Sequence, residues 1–198
     1  MSGAGTALTF DARPVEKIPV DLLVSGVFAS ELPLRGTAGR ADWRLCGWLS
    51  DLARRDQLTG SEGEFVLISG DARLACERLL LRGLGERQRY DSHAFQAAVR
   101  EICERSVALQ ARSLAVGSLG IEPDDWVHLA SHFVEGLAEG LGGHAMEVRL
   151  SIAEEEGERV GRELVRCCRG TSVRVDLPAR ERAAAGLDAA GERPGARR

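Results

Sequence analysis

Arg78-Leu-Leu-Leu-Arg-Gly-Leu-Gly85 is the stretch that decides the fold. Three consecutive leucines closing on a Gly-x-Gly turn read as a buried strand that hands over to a helix, here one whose pattern starts near Asp91. Such units build α/β sheets. Working backwards, Glu64 to Ser69 (Glu-Phe-Val-Leu-Ile-Ser) is a second strand, separated from Leu79–Leu81 by the turn at Gly70-Asp71, and two strands this close in sequence are expected to be neighbours. Asp42 is expected to cap a helix over Trp43 to Arg55, with Leu45, Trp48, Leu49 and Leu52 as its apolar stripe and Gly47 as a slight weakness. Residues 29–39, rich in Gly, Pro, Ser and charge, read as a loop. Val20 to Phe28 is a strand, and Leu8 to Phe10 a short first one.

Working forwards, Asp91 caps a helix whose Phe95, Ala98, Val99, Ile102, Ser106 and Leu109 recur every three or four residues. Ser113 to Val116 is a short strand. Pro123-Asp-Asp125 opens a helix to about Leu141 with Trp126, Leu129, Ala130, Phe133, Leu137 and Leu141 on one side, and Gly136 and Gly140 allow close packing against it. Met146 to Ile152 alternates apolar and polar residues, the pattern of a strand with one wet face, and is expected toward a sheet edge. A polar helix from Ala153 to Arg169 and a strand from Ser172 to Leu177 close a β-α-β unit. The alternation argues for a three-layer α/β/α domain over residues 1–177, with a mixed sheet; residues 178–198, dominated by Ala, Gly, Arg and Glu without an apolar period, read as a disordered tail.

The 198 residues carry 44% hydrophobic and 28% charged side chains, the balance of an ordinary globular protein. A formal net charge of -4 repels a phosphate backbone, so no nucleic-acid partner is expected. Lys17 is the only lysine. Five cysteines without a Cys-x-x-Cys pair fit reduced thiols, and no apolar run reaches membrane-spanning length; a cytoplasmic protein with no membrane contact is the expectation.

Gly83-Leu84-Gly85, with Gly26 at the neighbouring strand end, could line a loop for a small-molecule ligand. A dinucleotide cradle, however, needs a third glycine opening the helix, where Gln88 stands, and a structural turn is favoured. His128, His132 and Glu135 have metal-ligand spacing on one helix, but they cluster opposite its core stripe and read as a solvated face. Cys167-Cys168 offers no shared metal, and Ser25, Ser69 and Ser118 lack a Gly-x-Ser-x-Gly elbow. No catalytic residue and no cofactor is nominated. Glu154-Glu-Glu156 reads as the first turn of a helix, where carboxylates suit the dipole.

The order of these elements, together with Val20-Asp-Leu-Leu-Val24, Leu58-Thr-Gly-Ser-Glu-Gly-Glu64 and Arg78-Leu-Leu-Leu-Arg-Gly-Leu-Gly85 leading to Phe95, resembles the N-terminal domain of leucyl aminopeptidases over roughly Leu8 to Gly142. That resemblance implies a macro-domain-like α/β/α fold. In the family, catalysis lies in a separate C-terminal domain where lysine, aspartate and glutamate hold two metal ions, including an Asn-Thr-Asp-Ala-Glu-Gly-Arg-Leu motif. No such motif follows Gly142; Gly161-Arg-Glu-Leu-Val165 is only faintly similar to the run entering the catalytic domain. The expectation is therefore a stand-alone, non-catalytic relative acting through a protein partner, such as a separate aminopeptidase, or as a homo-oligomer. A nucleotide or ADP-ribose-like ligand at Gly26, Gly83 and Gly85 is the alternative, and residual hydrolysis at a metal on His128, His132 and Glu135 the least favoured.

Overall fold

The computed structural model describes residues 5–117, 119–152 and 154–176, leaving aside the side chains of 123, 154 and 155. Ser118, most of the Glu154–Glu156 cluster and the tail expected from residue 178 thus lie outside the described residues or side chains. Strands β1 (Thr6–Asp11), β2 (Val20–Val27), β3 (Phe65–Ser69), β4 (Cys76–Gly83), β5 (Ser113–Val116), β6 (Glu147–Ser151) and β7 (Val173–Asp176) form one sheet in the order β3-β4-β2-β5-β6-β1-β7. All neighbours are parallel except β3 and β4, which are antiparallel as their short connection requires. The leucines of β4 are buried because this strand, second from the edge, is covered on both faces.

Helices α3 (Ser92–Ala108), α4 (Trp126–Leu141) and α5 (Glu154–Cys167) cover one face, where Leu22, Val24, Leu80, Val148 and Leu150 meet Phe95, Phe133 and Leu137. Asp91 caps α3 by accepting from the Ala94 amide at 2.9 Å, as its sequence position implies. Helices α1 (Gly36–Arg44) and α2 (Trp48–Arg54) cover the other face over Leu23, Leu79, Leu81 and Ala115. The domain is a three-layer α/β/α mixed sheet.

Two expectations need correction. The single helix over Trp43–Arg55 is two short helices, and the first begins inside the expected loop, at Gly36. Cys46 (φ 58°) and Gly47 (φ 86°) break the helix between them. Asp42 caps the second helix from a distance, accepting from the Ser50 amide (3.0 Å) and hydroxyl (2.5 Å). The break rotates Trp48 off the core stripe: Leu45 and Leu49 are buried, but Trp48 is 46% exposed. The second correction concerns β6, which lies inside the sheet between β5 and β1. Its wet face arises because α1 and α2 stop short of it. Glu147, Arg149 and Ser151 stand in register with Ala7, Thr9 and Asp11 on a polar face, and Arg149 pairs with Glu147 at 2.7 Å.

Candidate functional site

Connections from β2 and β5 leave the sheet in opposite senses, β2 through α1 on one face and β5 toward α4 on the other. Beyond the carboxyl ends of two such strands a crevice opens, the usual ligand position in open α/β sheets. Here it is a cleft of about 420 Å³ between Ser25-Gly26, Gly117 and Ser151-Ile152, walled by the start of α1 and by Trp126.

Gly26 lines this cleft, whereas Gly83 and Gly85 do not. The amides of the Gly83-Leu84-Gly85 turn are taken by protein carbonyls: Gly83 donates to Glu64 O (2.8 Å), Leu84 to Val27 O (2.8 Å) and Gly85 to Gly60 O (2.9 Å). A turn so used leaves no donor for a phosphate. A Cβ on Gly83 would overlap the Ser61 carbonyl, and one on Gly26 would stand 2.5 Å from Leu84 Cδ1, so both glycines are needed for close packing. Glu64 completes the lock. Its carboxylate accepts from the Thr59 amide (3.0 Å) and the Gly60 amide (2.7 Å), tying Thr59-Gly-Ser-Glu-Gly-Glu64 to the ends of β2 and β4.

The cationic side chains of the cleft are mostly engaged. Arg87 donates to Glu31 at 2.6 Å with its guanidinium 4.0 Å above the Phe28 ring, and Arg40 donates to Glu16 at 3.1 Å. Phe28 also meets Tyr90 edge-on at 5.2 Å, and Tyr90 donates to Leu119 O at 3.0 Å; burial raises its phenol pKa, which keeps it protonated. Arg35 has no ion-pair partner among the described residues, and α1 opens on it without a side-chain cap, so the amides at Gly36 and Thr37 begin the helix unsatisfied by any cap.

A second concavity adjoins the first. It is an open groove of about 530 Å³ lined by Lys17, Arg35, Arg40 and Arg44 against a single carboxylate, Glu16, with Trp43 at its side. Trp43 is 82% exposed. In a chain of net charge -4, this is a local concentration of positive charge around the most exposed large apolar side chain among the described residues. The sequence does not announce it, because residues 36–39 read as loop and Trp43 reads as the start of a later helix rather than the end of α1. Leu34, Ala38, Ala41 and Leu45, all buried, carry the helical spacing, but Gly36 and Gly39 fall within this short stripe and weaken its helical signal.

The metal candidates do not converge. His128 and Glu135 are exposed, His132 meets His93 edge-on at 5.9 Å, and among the described residues no group of three His, Cys, Asp or Glu side chains is arranged to hold a metal. Three buried thiols are quiet as well: burial pushes Cys76 up to about 11 and Cys103 and Cys168 up to about 12. Among the described residues no helix is long and apolar enough to cross a membrane.

Comparison with known proteins fits this geometry. Residues 24–141 match the cytosol aminopeptidase family, N-terminal domain. A probable cytosol aminopeptidase of Alkaliphilus metalliredigens is 24% identical over 153 residues, 76% of this chain but 30% of that protein, so the chain spans about a third of its curated relative. A tomato leucine aminopeptidase mutant superposes with a TM-score of 0.62 at 16% identity, over 84% of this chain and 37% of that one. An Oceanobacillus iheyensis macrodomain solved with ADP superposes with a TM-score of 0.62 at 14% identity, over 78% of this chain and 88% of that one. The chain belongs to the cytosol aminopeptidase family, through its N-terminal, macrodomain-like domain.

Proposed function

We propose that this domain is a non-catalytic binding unit that works by contact with another protein, through the groove beside Trp43. The observation that carries the reading is the 82% exposure of Trp43 among Lys17, Arg35, Arg40 and Arg44. Interface cores are enriched in tryptophan and arginine, and a tryptophan left in water is an apolar surface that a partner would cover. The surplus of cations selects an acidic segment as the occupant. A separate aminopeptidase chain is one such partner that family membership suggests. Retrieval from the source cell's own lysate tests it. A partner with an acidic contact segment should be recovered by the wild type and lost with Trp43→Ala and Arg44→Glu; recovery of nothing that depends on these residues overturns the reading.

A second reading is supported by the uncapped start of α1 at the cleft and by Arg35, which has no ion-pair partner among the described residues: a nucleotide or ADP-ribose-like ligand, its phosphates on the first-turn amides. Calorimetric titration with ADP and ADP-ribose decides it. Binding weakened by Arg35→Ala supports it, and no heat together with no thermal shift removes it.

A further inference from the structure

Among the described residues, strand β3 ends the sheet and pairs only with β4. Gly83 N–H donates to Glu64 O at 2.8 Å and Gly70 N–H donates to Glu77 O at 2.7 Å, which sets the alternation along this antiparallel pair. Backbone groups of residues 64, 66, 68 and 70 face β4, so those of Phe65, Leu67 and Ser69 face away from it. The edge is therefore a row of N–H and C=O groups in strand geometry. Phe65-Val-Leu-Ile-Ser69 contains no charge and no proline, the two usual guards of an exposed edge, and Leu67 is 46% exposed.

We propose that β3 pairs antiparallel with β3 of a second copy of this chain, about a two-fold axis at Leu67. Backbone chemistry restricts the occupant to an extended strand, and the alternation favours a self-match. Centred on Leu67, the pairing sets Leu67 against its own copy and Phe65 against Ser69, so every outward-facing residue meets another outward-facing one and exchanges both hydrogen bonds. Moving the centre to Val66 or Ile68 also opposes outward-facing residues but pairs only two of the three within β3, Phe65 with Leu67 or Leu67 with Ser69, and leaves the third opposite Gly63 or Asp71 outside the strand. Moving it to Phe65 runs into Gly63, where positive φ (76°) and the bond from Gly63 N–H to Gly83 O mark a bulge. Charges agree with the Leu67 centre. Glu64 would face Gly70, Asp71 would face Gly63 and Glu62 would face Ala72, so no carboxylate opposes another. A contact built on five residues per copy is small, so the dimer forms as an equilibrium that depends on concentration.

This inference extends the protein-contact reading but stands on a different surface from Trp43. Sedimentation equilibrium from micromolar to millimolar concentration tests it on the wild type, Leu67→Lys, Leu67→Glu and an equimolar mixture of the two variants. Circular dichroism checks that the variants fold, as the exposure of Leu67 allows. The wild type should dimerise, each variant alone should associate about tenfold more weakly because like charges stand directly opposed, and the mixture should recover association. A wild type that stays monomeric overturns strand pairing while leaving the Trp43 groove to its own retrieval test. Variants that dimerise like the wild type, or a mixture that stays monomeric, also overturn it.

Discussion

Gly140→Ala should destabilise the domain, although alanine is ordinarily the better helix residue. Replacing a glycine inside a helix gains up to about 1 kcal/mol of propensity. At Gly140 the added Cβ would overlap the Arg100 carbonyl of α3 and lie 2.7 Å from Cys103 Cβ. Neither atom can rotate away, since one is backbone and the other is fixed to it. Carbon atoms pack comfortably at about 3.5–4.0 Å, so α3 and α4 must part by roughly 1 Å. That movement loosens the cluster they hold between them, in which Phe95 stacks on Phe133 at 6.4 Å and Trp126 meets Phe133 edge-on at 5.2 Å. Overpacking of this kind costs about 1–3 kcal/mol. A clash with backbone stands at the upper end of that range, about 2–3 kcal/mol, so after the propensity gain the net loss is about 1–2 kcal/mol, or a fall in Tm of roughly 2–8 °C for a chain of this size. Gly136→Ala, whose Cβ would lie 2.8 Å from Gln96 O and 2.9 Å from Val99 Cβ, should cost less. Thermal melts followed by calorimetry measure both. A Gly140→Ala protein as stable as the wild type, or more so, would refute the close α3–α4 contact on which one face of the sheet depends.

The Asp21 carboxylate is held below its usual range chiefly by the Arg112 amide, which donates to it at 2.7 Å, with a further contribution from Ser113. A depressed folded pKa stabilises above the unfolded value of about 3.9 and is lost as pH falls through the folded one, so Asp21→Asn should cost about 1–2 kcal/mol at neutral pH, and the gap should close below about pH 4. Glu64→Ala should lower stability by about 2 kcal/mol in urea melts by freeing the Thr59 and Gly60 amides, with Glu64→Gln losing less; an unchanged midpoint would mean the carboxylate does not lock the turn. In thiol titration with a disulfide reagent at neutral pH, exposed Cys46 should react first while Cys76, Cys103 and Cys168 wait for unfolding. Rapid modification of any of those three would contradict their burial.

The sheet was legible because its strands carry their own signals. Leu79–Leu81 could be placed in the interior from residue type alone, and Phe95, Val99 and Ile102 showed which face of α3 is buried. What sequence could not supply was the position of one strand relative to others far away in the chain. The alternation along β6 is that of an edge, yet the strand is interior, and its wet face depends on where α1 and α2 end. The family marker Thr59-Gly-Ser-Glu-Gly-Glu64 was readable as a motif, but its purpose became clear only with the amide bonds to Glu64. Trp48, expected on the apolar stripe, is half exposed for a local reason. Positive φ at Cys46 and Gly47 breaks the helix, and one glycine in an apolar stripe is too weak a signal to announce it.

Protein contact at Trp43 can be caught by placing a photo-crosslinking amino acid at position 43 in the source cell, with a second probe at exposed position 62 as reference. One discrete crosslinked protein is expected from position 43, joined through an acidic segment and lost when Arg44→Glu is added. No crosslink beyond that from position 62 would contradict it.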